Sequence, residues 1–162
     1  MPSPFVIEAG KFIKQQKMTI AFAESATAGR LAAEFSLTEN SGDILIGGLV
    51  CYDACIKEDI LGIEKSFLEE YTPESAEVTK AMAVQLRAFI KSDIQIAVTG
   101  LTTPGGSETV QKPVGTIFIH ILIGESSIAL RKVFEGSPEQ IVMQAIDLIE
   151  KTITAELKQR SV

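Results

Sequence analysis

The sequence predicts a three-layer α/β/α sandwich built on a mixed central sheet. Segments with helical spacing alternate with short apolar runs up to about residue 100. Two further apolar runs then follow each other with only Gly124-Glu125-Ser126 between them, the mark of a hairpin. Several strand candidates have almost lost their polar alternation, as happens when helices cover both faces of a sheet. With 162 residues there is enough chain for one well-buried domain, read here as spanning 1–162.

Along the chain, Phe5, Val6, Ala9, Phe12, Ile13 and Gln16 recur at helical spacing, so residues 4–16 form an amphipathic helix. MTIAFA (18–23) is a buried strand, and Ala28, Leu31, Ala32 and Phe35 return the chain to helix over 27–37. A second strand covers 43–52, where the pair Gly47-Gly48 signals a bulge or a close backbone approach. ACIKEDILG reads as a short helix stopped by Gly62. Thr72-Pro73-Glu74 has the pattern of a helix start, with an apolar stripe from Ala76 onward through residue 91. Strands are expected at 93–100, 114–123 and 127–136. Ser137-Pro138-Glu139-Gln140 is a capping box opening a last helix to about Lys158.

The net charge of −6 argues against nucleic acid or an anionic membrane as a partner, since both call for a basic surface. No stretch reaches 18 apolar residues, the start has no signal-peptide pattern, and two cysteines make a sparse disulfide framework. A cytoplasmic protein is expected. His120 is the only histidine and lies mid-strand in an apolar run, where packing is the favoured reading. A four-ligand metal site would need unusual carboxylates, and neither metal nor cofactor is expected. Cys51 and Cys55 read as small core residues.

Three places carry chemistry. In AFAESATAG (21–29) a buried strand runs straight into a helix through Glu24, Ser25, Thr27 and Gly29, with Arg30 behind them. Such a turn offers free N–H groups to an anion, and it lifts Ser25 as a nucleophile; taken locally, Ser25 or Thr27 as a helix cap is the commoner meaning. Tyr52 and Lys57 follow the second strand. In a chain with one histidine, a desolvated lysine is the leading group to activate a serine; taken locally, a solvated Lys57 paired with Asp59 or Glu58 is the favoured meaning. The loop Thr99-Gly100-Leu101-Thr102-Thr103-Pro104-Gly105-Gly106, with Lys112 beyond it, has the glycines of an anion nest but neither a Walker A nor a dinucleotide fingerprint.

Together these pieces resemble the CinA C-terminal domain family, whose characterised members are nicotinamide-nucleotide amidases. The resemblance rests on AESATAG (23–29) in the place of AESCTGG, and on Tyr52 with Lys57 five residues later. It continues with Ile60-Leu61-Gly62, Val98-Thr99-Gly100, Pro104-Gly105-Gly106 and Lys112-Pro113-Val114-Gly115-Thr116. It implies hydrolysis of the carboxamide of nicotinamide mononucleotide to nicotinic acid mononucleotide and ammonia, in a free-standing form of the domain. Ser25 is then the nucleophile, Lys57 and Tyr52 its partners, and Glu24, Thr27, Gly29, Arg30, Thr99, Gly100, Pro104, Gly105, Gly106 and Lys112 the substrate-binding set. The expected partner is a small nucleotide, and a homo-oligomer, taken as a dimer, is the expected assembly.

The chain departs from the family pattern at Ala26, Ala28, Gly42-Asp43 and Asp53-Ala54. Those changes motivate two alternatives: a nucleotide-binding or interaction module with impaired catalysis, and an amidase for another small amide.

Overall fold

A computed structural model describes residues 1–161. The elements run α1 (Pro4–Gln15), β1 (Ile20–Glu24), α2 (Arg30–Ser36), α3 (Ser41–Ile44), β2 (Leu45–Val50), α4 (Ala54–Asp59) and α5 (Lys65–Tyr71). They continue with α6 (Ala76–Phe89), β3 (Ile94–Gly100), β4 (Thr116–Ile123), β5 (Ser126–Val133) and α7 (Pro138–Arg160). The strands form one five-stranded sheet in the order β2-β1-β3-β4-β5. Strand β1 pairs in parallel with β2 and β3, whereas β3–β4 and β4–β5 are antiparallel. The mixed sheet and its closing hairpin are as the sequence predicts.

Strand pleating divides the core in two. Ile20, Phe22, Ile94, Ile96 and Val98 face one side and pack with α1, α2 and α7 through Val6, Ile13, Leu31, Phe35, Ile146 and Ile149. Ala21, Ala23 and Ala97 face the other side and meet Val78, Met82 and Leu86 of α6. The small residues on that face let α6 lie close to the sheet. In β2 the close approach is to β1: a Cβ at Gly48 would come 3.0 Å from the carbonyl oxygen of Phe22, next to a register irregularity at Ile20/Ala21.

Four local expectations change. Residues 41–44 form the short α3, so β2 begins at Leu45 and not at residue 43. The segment 65–71, assigned no element from sequence, is α5. The chain leaves α5 through Thr72 at φ +67, so Thr72 ends a helix; Ser75 caps α6 instead, its hydroxyl accepting from the Val78 N–H. Cys51 is buried as expected, but Cys55 is exposed on α4. Among the described residues no helix is long and apolar enough to cross a membrane.

The order β2-β1-β3 sends the chain from β1 first to one neighbour and later to the other. The carboxyl ends of the three parallel strands therefore open a crevice, the usual ligand site of an open α/β sheet. Glu24 stands level with Val50 and Val98 there, so Ser25, Cys51 and Thr99 follow side by side, and β3 runs on one residue further to Gly100.

Candidate active site

Ser25 continues β1 by one residue: its N–H donates to the Val98 carbonyl at 2.9 Å. The chain then turns sharply through Ala28 at φ +47 and Gly29 at φ +91 into α2. Glu24 governs this turn. Its buried carboxylate accepts from the Thr27 hydroxyl at 2.6 Å, from the N–H groups of Gly29 and Leu31 at 3.0 Å each, and from that of Ala32 at 2.8 Å. The α2 amino end, expected to receive a ligand anion, is thus capped by the chain's own carboxylate. Neither Ser25 nor Thr27 is the helix cap.

Asp53 starts α4, its side chain accepting from the Cys55 N–H at 2.8 Å, and the helix turns Lys57 inward. Lys57 is 1% exposed. Its Nζ lies 2.7 Å from the Cys51 carbonyl oxygen and 3.2 Å from Ser25 Oγ. Burial lowers the Lys57 pKa below the ordinary lysine value, while Cys51, Glu74 and Asp53 oppose that shift. A lysine kept nearer neutrality and touching a serine hydroxyl is equipped to take its proton.

Ser25 opens onto a pocket of about 240 Å³, lined also by Ala26, Tyr52, Glu74 and the loop 100–106. Of the predicted catalytic residues, Ser25 and Lys57 meet directly. Tyr52 forms part of the pocket wall, 66% exposed, and its hydroxyl makes no hydrogen bond to either among the described residues. Gly100, Pro104, Gly105 and Gly106 line the pocket as expected. Gly100 is required there: a Cβ would come 2.6 Å from the Thr116 carbonyl oxygen on β4.

Other predicted binding residues are committed elsewhere. Thr27 and Gly29 donate to Glu24. Arg30 pairs with Glu34 at 2.8 Å and reaches Glu139 at 3.9 Å. Thr99 is buried, its hydroxyl 2.8 Å from that of Thr79, which also lies 2.5 Å from the Ser75 carbonyl. Lys112 Nζ donates at 2.8 Å to the Thr72 hydroxyl, the Glu74 carbonyl and the Ser107 hydroxyl, tying the loop to the start of α6. The Gly105 N–H donates to Glu108 at 2.8 Å. His120 packs on the sheet with Nε2 2.7 Å from the Ser127 hydroxyl. Glu74, Thr102 and Thr103 complete the pocket although the predicted binding set omits them. Glu74 reaches it from the α5–α6 connection, where no local motif points to a ligand.

The model of the CinA C-terminal domain matches residues 5–155. This chain belongs to the CinA C-terminal domain family. A CinA-like protein of Thermotoga neapolitana is 31% identical over 150 residues, 93% of this chain and 36% of that protein. A CinA-like protein of Petrotoga mobilis is 34% identical over 148 residues, 86% of this chain and 36% of that protein. The chain therefore spans little more than a third of the length of these curated relatives. Among solved structures, a competence-damaged protein (CinA) superfamily protein from Enterobacter cloacae superposes with a TM-score of 0.86 at 28% identity, covering 94% of this chain and 92% of that one. The corresponding Klebsiella pneumoniae superfamily protein reaches a TM-score of 0.90 at 22% identity, covering 96% of both chains, and so shares the CinA fold.

Proposed function

We propose that this CinA-family domain hydrolyses the carboxamide of nicotinamide mononucleotide to the acid and ammonia, with Ser25 as nucleophile and Lys57 as base. The observation that carries the reading is the buried Lys57 Nζ at 3.2 Å from Ser25 Oγ, beside a pocket. With a neutral amine, Nζ gives one N–H to the Cys51 carbonyl and presents its lone pair to the Ser25 hydroxyl.

Ser25 Oγ attacks the amide carbon as its proton passes to Nζ. The tetrahedral oxyanion is met by backbone N–H groups of the turn after Ser25, with that of Ala26, which lines the pocket and donates to no acceptor of the described chain, as the nearest candidate. Such donors contribute roughly 3 kcal/mol each where they have been removed by mutation. Collapse breaks the C–N bond, and Nζ returns the proton to the departing amine, which leaves as ammonia. Water then adds to the Ser25 ester with Nζ again as base, releasing the acid and restoring the hydroxyl. Tyr52 walls the substrate side of this centre.

The test is direct: purified protein is incubated with nicotinamide mononucleotide, and ammonia and the acid are followed together. Turnover that Ser25→Ala abolishes supports the reading. No turnover, or turnover unchanged in Ser25→Ala, overturns it.

A further inference from the structure

Among the described residues the only charged side chain lining the pocket is an acid, Glu74. Its Oε2 accepts from the Ser107 hydroxyl at 2.5 Å, whereas Oε1 takes no donor among the described residues. No described lysine, arginine or histidine lies within ion-pair distance of this carboxylate. The neighbouring Lys112 ammonium contacts the Glu74 carbonyl and Ser107, not the carboxylate. Part of the donor set that would suit a phosphate is engaged: the N–H groups of Gly29, Leu31 and Ala32 serve Glu24, and the Gly105 N–H serves Glu108. Lys57 and Lys112 lie nearby without pairing with this carboxylate, so a wall whose charged group is an acid with one oxygen free rewards a positive charge.

We infer that Glu74 sets specificity for a carboxamide borne on a cationic ring, an N-substituted pyridinium, whose charge sits against the Glu74 carboxylate while the amide carbon meets Ser25. This rests on the amidase reading. The ring charge, and not the phosphate, then carries recognition inside the pocket. The phosphate of a mononucleotide extends toward the mouth. A neutral pyridine carboxamide of the same shape leaves Glu74 unpaired and binds less well.

Binding is measured in the Ser25→Ala protein, where turnover does not intervene, by calorimetric titration with 1-methylnicotinamide and with nicotinamide. The cation is expected to bind about tenfold tighter or better, the size of one charge-assisted contact. Adding Glu74→Gln should bring the two affinities together, and adding Glu74→Asp, which keeps the charge and controls for folding, should retain the preference. Equal affinities in the Ser25→Ala protein, no binding of either compound, or a preference that survives Glu74→Gln overturns the inference. A Glu74-dependent preference alongside a wild type that hydrolyses no amide supports the cation site and removes the amidase reading alone.

Discussion

Lys57 Nζ stands 3.2 Å from Ser25 Oγ although the two residues are 32 positions apart. It is held there by the Cys51 carbonyl at 2.7 Å. If this contact performs the proton transfer, Ser25→Ala and Lys57→Met each lower kcat/KM by roughly a thousandfold, within the range for losing a nucleophile or its base. Lys57→Arg fails equally, because a guanidinium does not give up its proton. In the wild type kcat/KM rises with pH as Nζ deprotonates. Burial places the midpoint of that rise below the ordinary lysine value. A pH–rate profile checks this, and a midpoint at or above the ordinary value speaks against Lys57 as the base.

Glu24 is the hub of the turn that carries Ser25, accepting four hydrogen bonds with two oxygens. Glu24→Ala leaves those buried donors without a partner and should cost about 3 kcal/mol or more. For a chain of this length that is roughly a 10 °C fall in Tm. Glu24→Gln keeps an acceptor and should lose clearly less. Thermal unfolding of the two variants separates a capping carboxylate from a ligand-binding one, which would leave Tm unchanged.

Lys112 joins the pocket loop to Thr72, Glu74 and Ser107 and does not line the pocket itself. Lys112→Met should therefore raise KM several-fold by loosening the loop, with a smaller effect on kcat. Steady-state kinetics with an amide that carries no phosphate make the point sharper. The rise in KM persists there if Lys112 acts through the loop, and vanishes if it contacts phosphate.

Glu150 is fully buried on α7, and neither carboxylate oxygen has a hydrogen-bond partner among the described residues. Burial, with Asp147 adding to it, raises its pKa well above the usual glutamate value. A raised folded value means that its contribution to stability is fully present below the unfolded glutamate pKa and is lost as pH rises through the folded one. Glu150→Leu removes this penalty. It should stabilise the protein by about 1–3 kcal/mol at pH 8, with the gain shrinking toward pH 4. Chemical denaturation at the two pH values measures the difference.

The alternation of helical and strand segments, the late hairpin and the Ser137 capping box were legible because each depends on periodicity or on residues a few positions apart. Candidate groups were legible too: Ser25 at a strand-to-helix turn, and Lys57 as the base available to a chain with one histidine. Thr72-Pro73 misled for a local reason. Its residue types suit a helix start, but α5 ends there and forces Thr72 to φ +67. Cys55 misled for another: which face of α4 is covered depends on neighbours far along the chain. Lys57, two residues later on the same short helix, is buried while Cys55 is exposed.

By itself the sequence determined the fold class, most element boundaries and the residue types capable of chemistry, since these follow from short-range spacing and composition. Tertiary structure decided how the charges are spent. It directs Glu24 into the α2 amino end, Lys57 onto Ser25 and Lys112 onto its own loop, and it leaves the Glu74 carboxylate unpaired in the pocket. The reason is physical. Whether a carboxylate caps a helix or faces a ligand, and whether a lysine is solvated or nearer neutral, depends on desolvation and on partners tens of residues away. Only the folded chain supplies both.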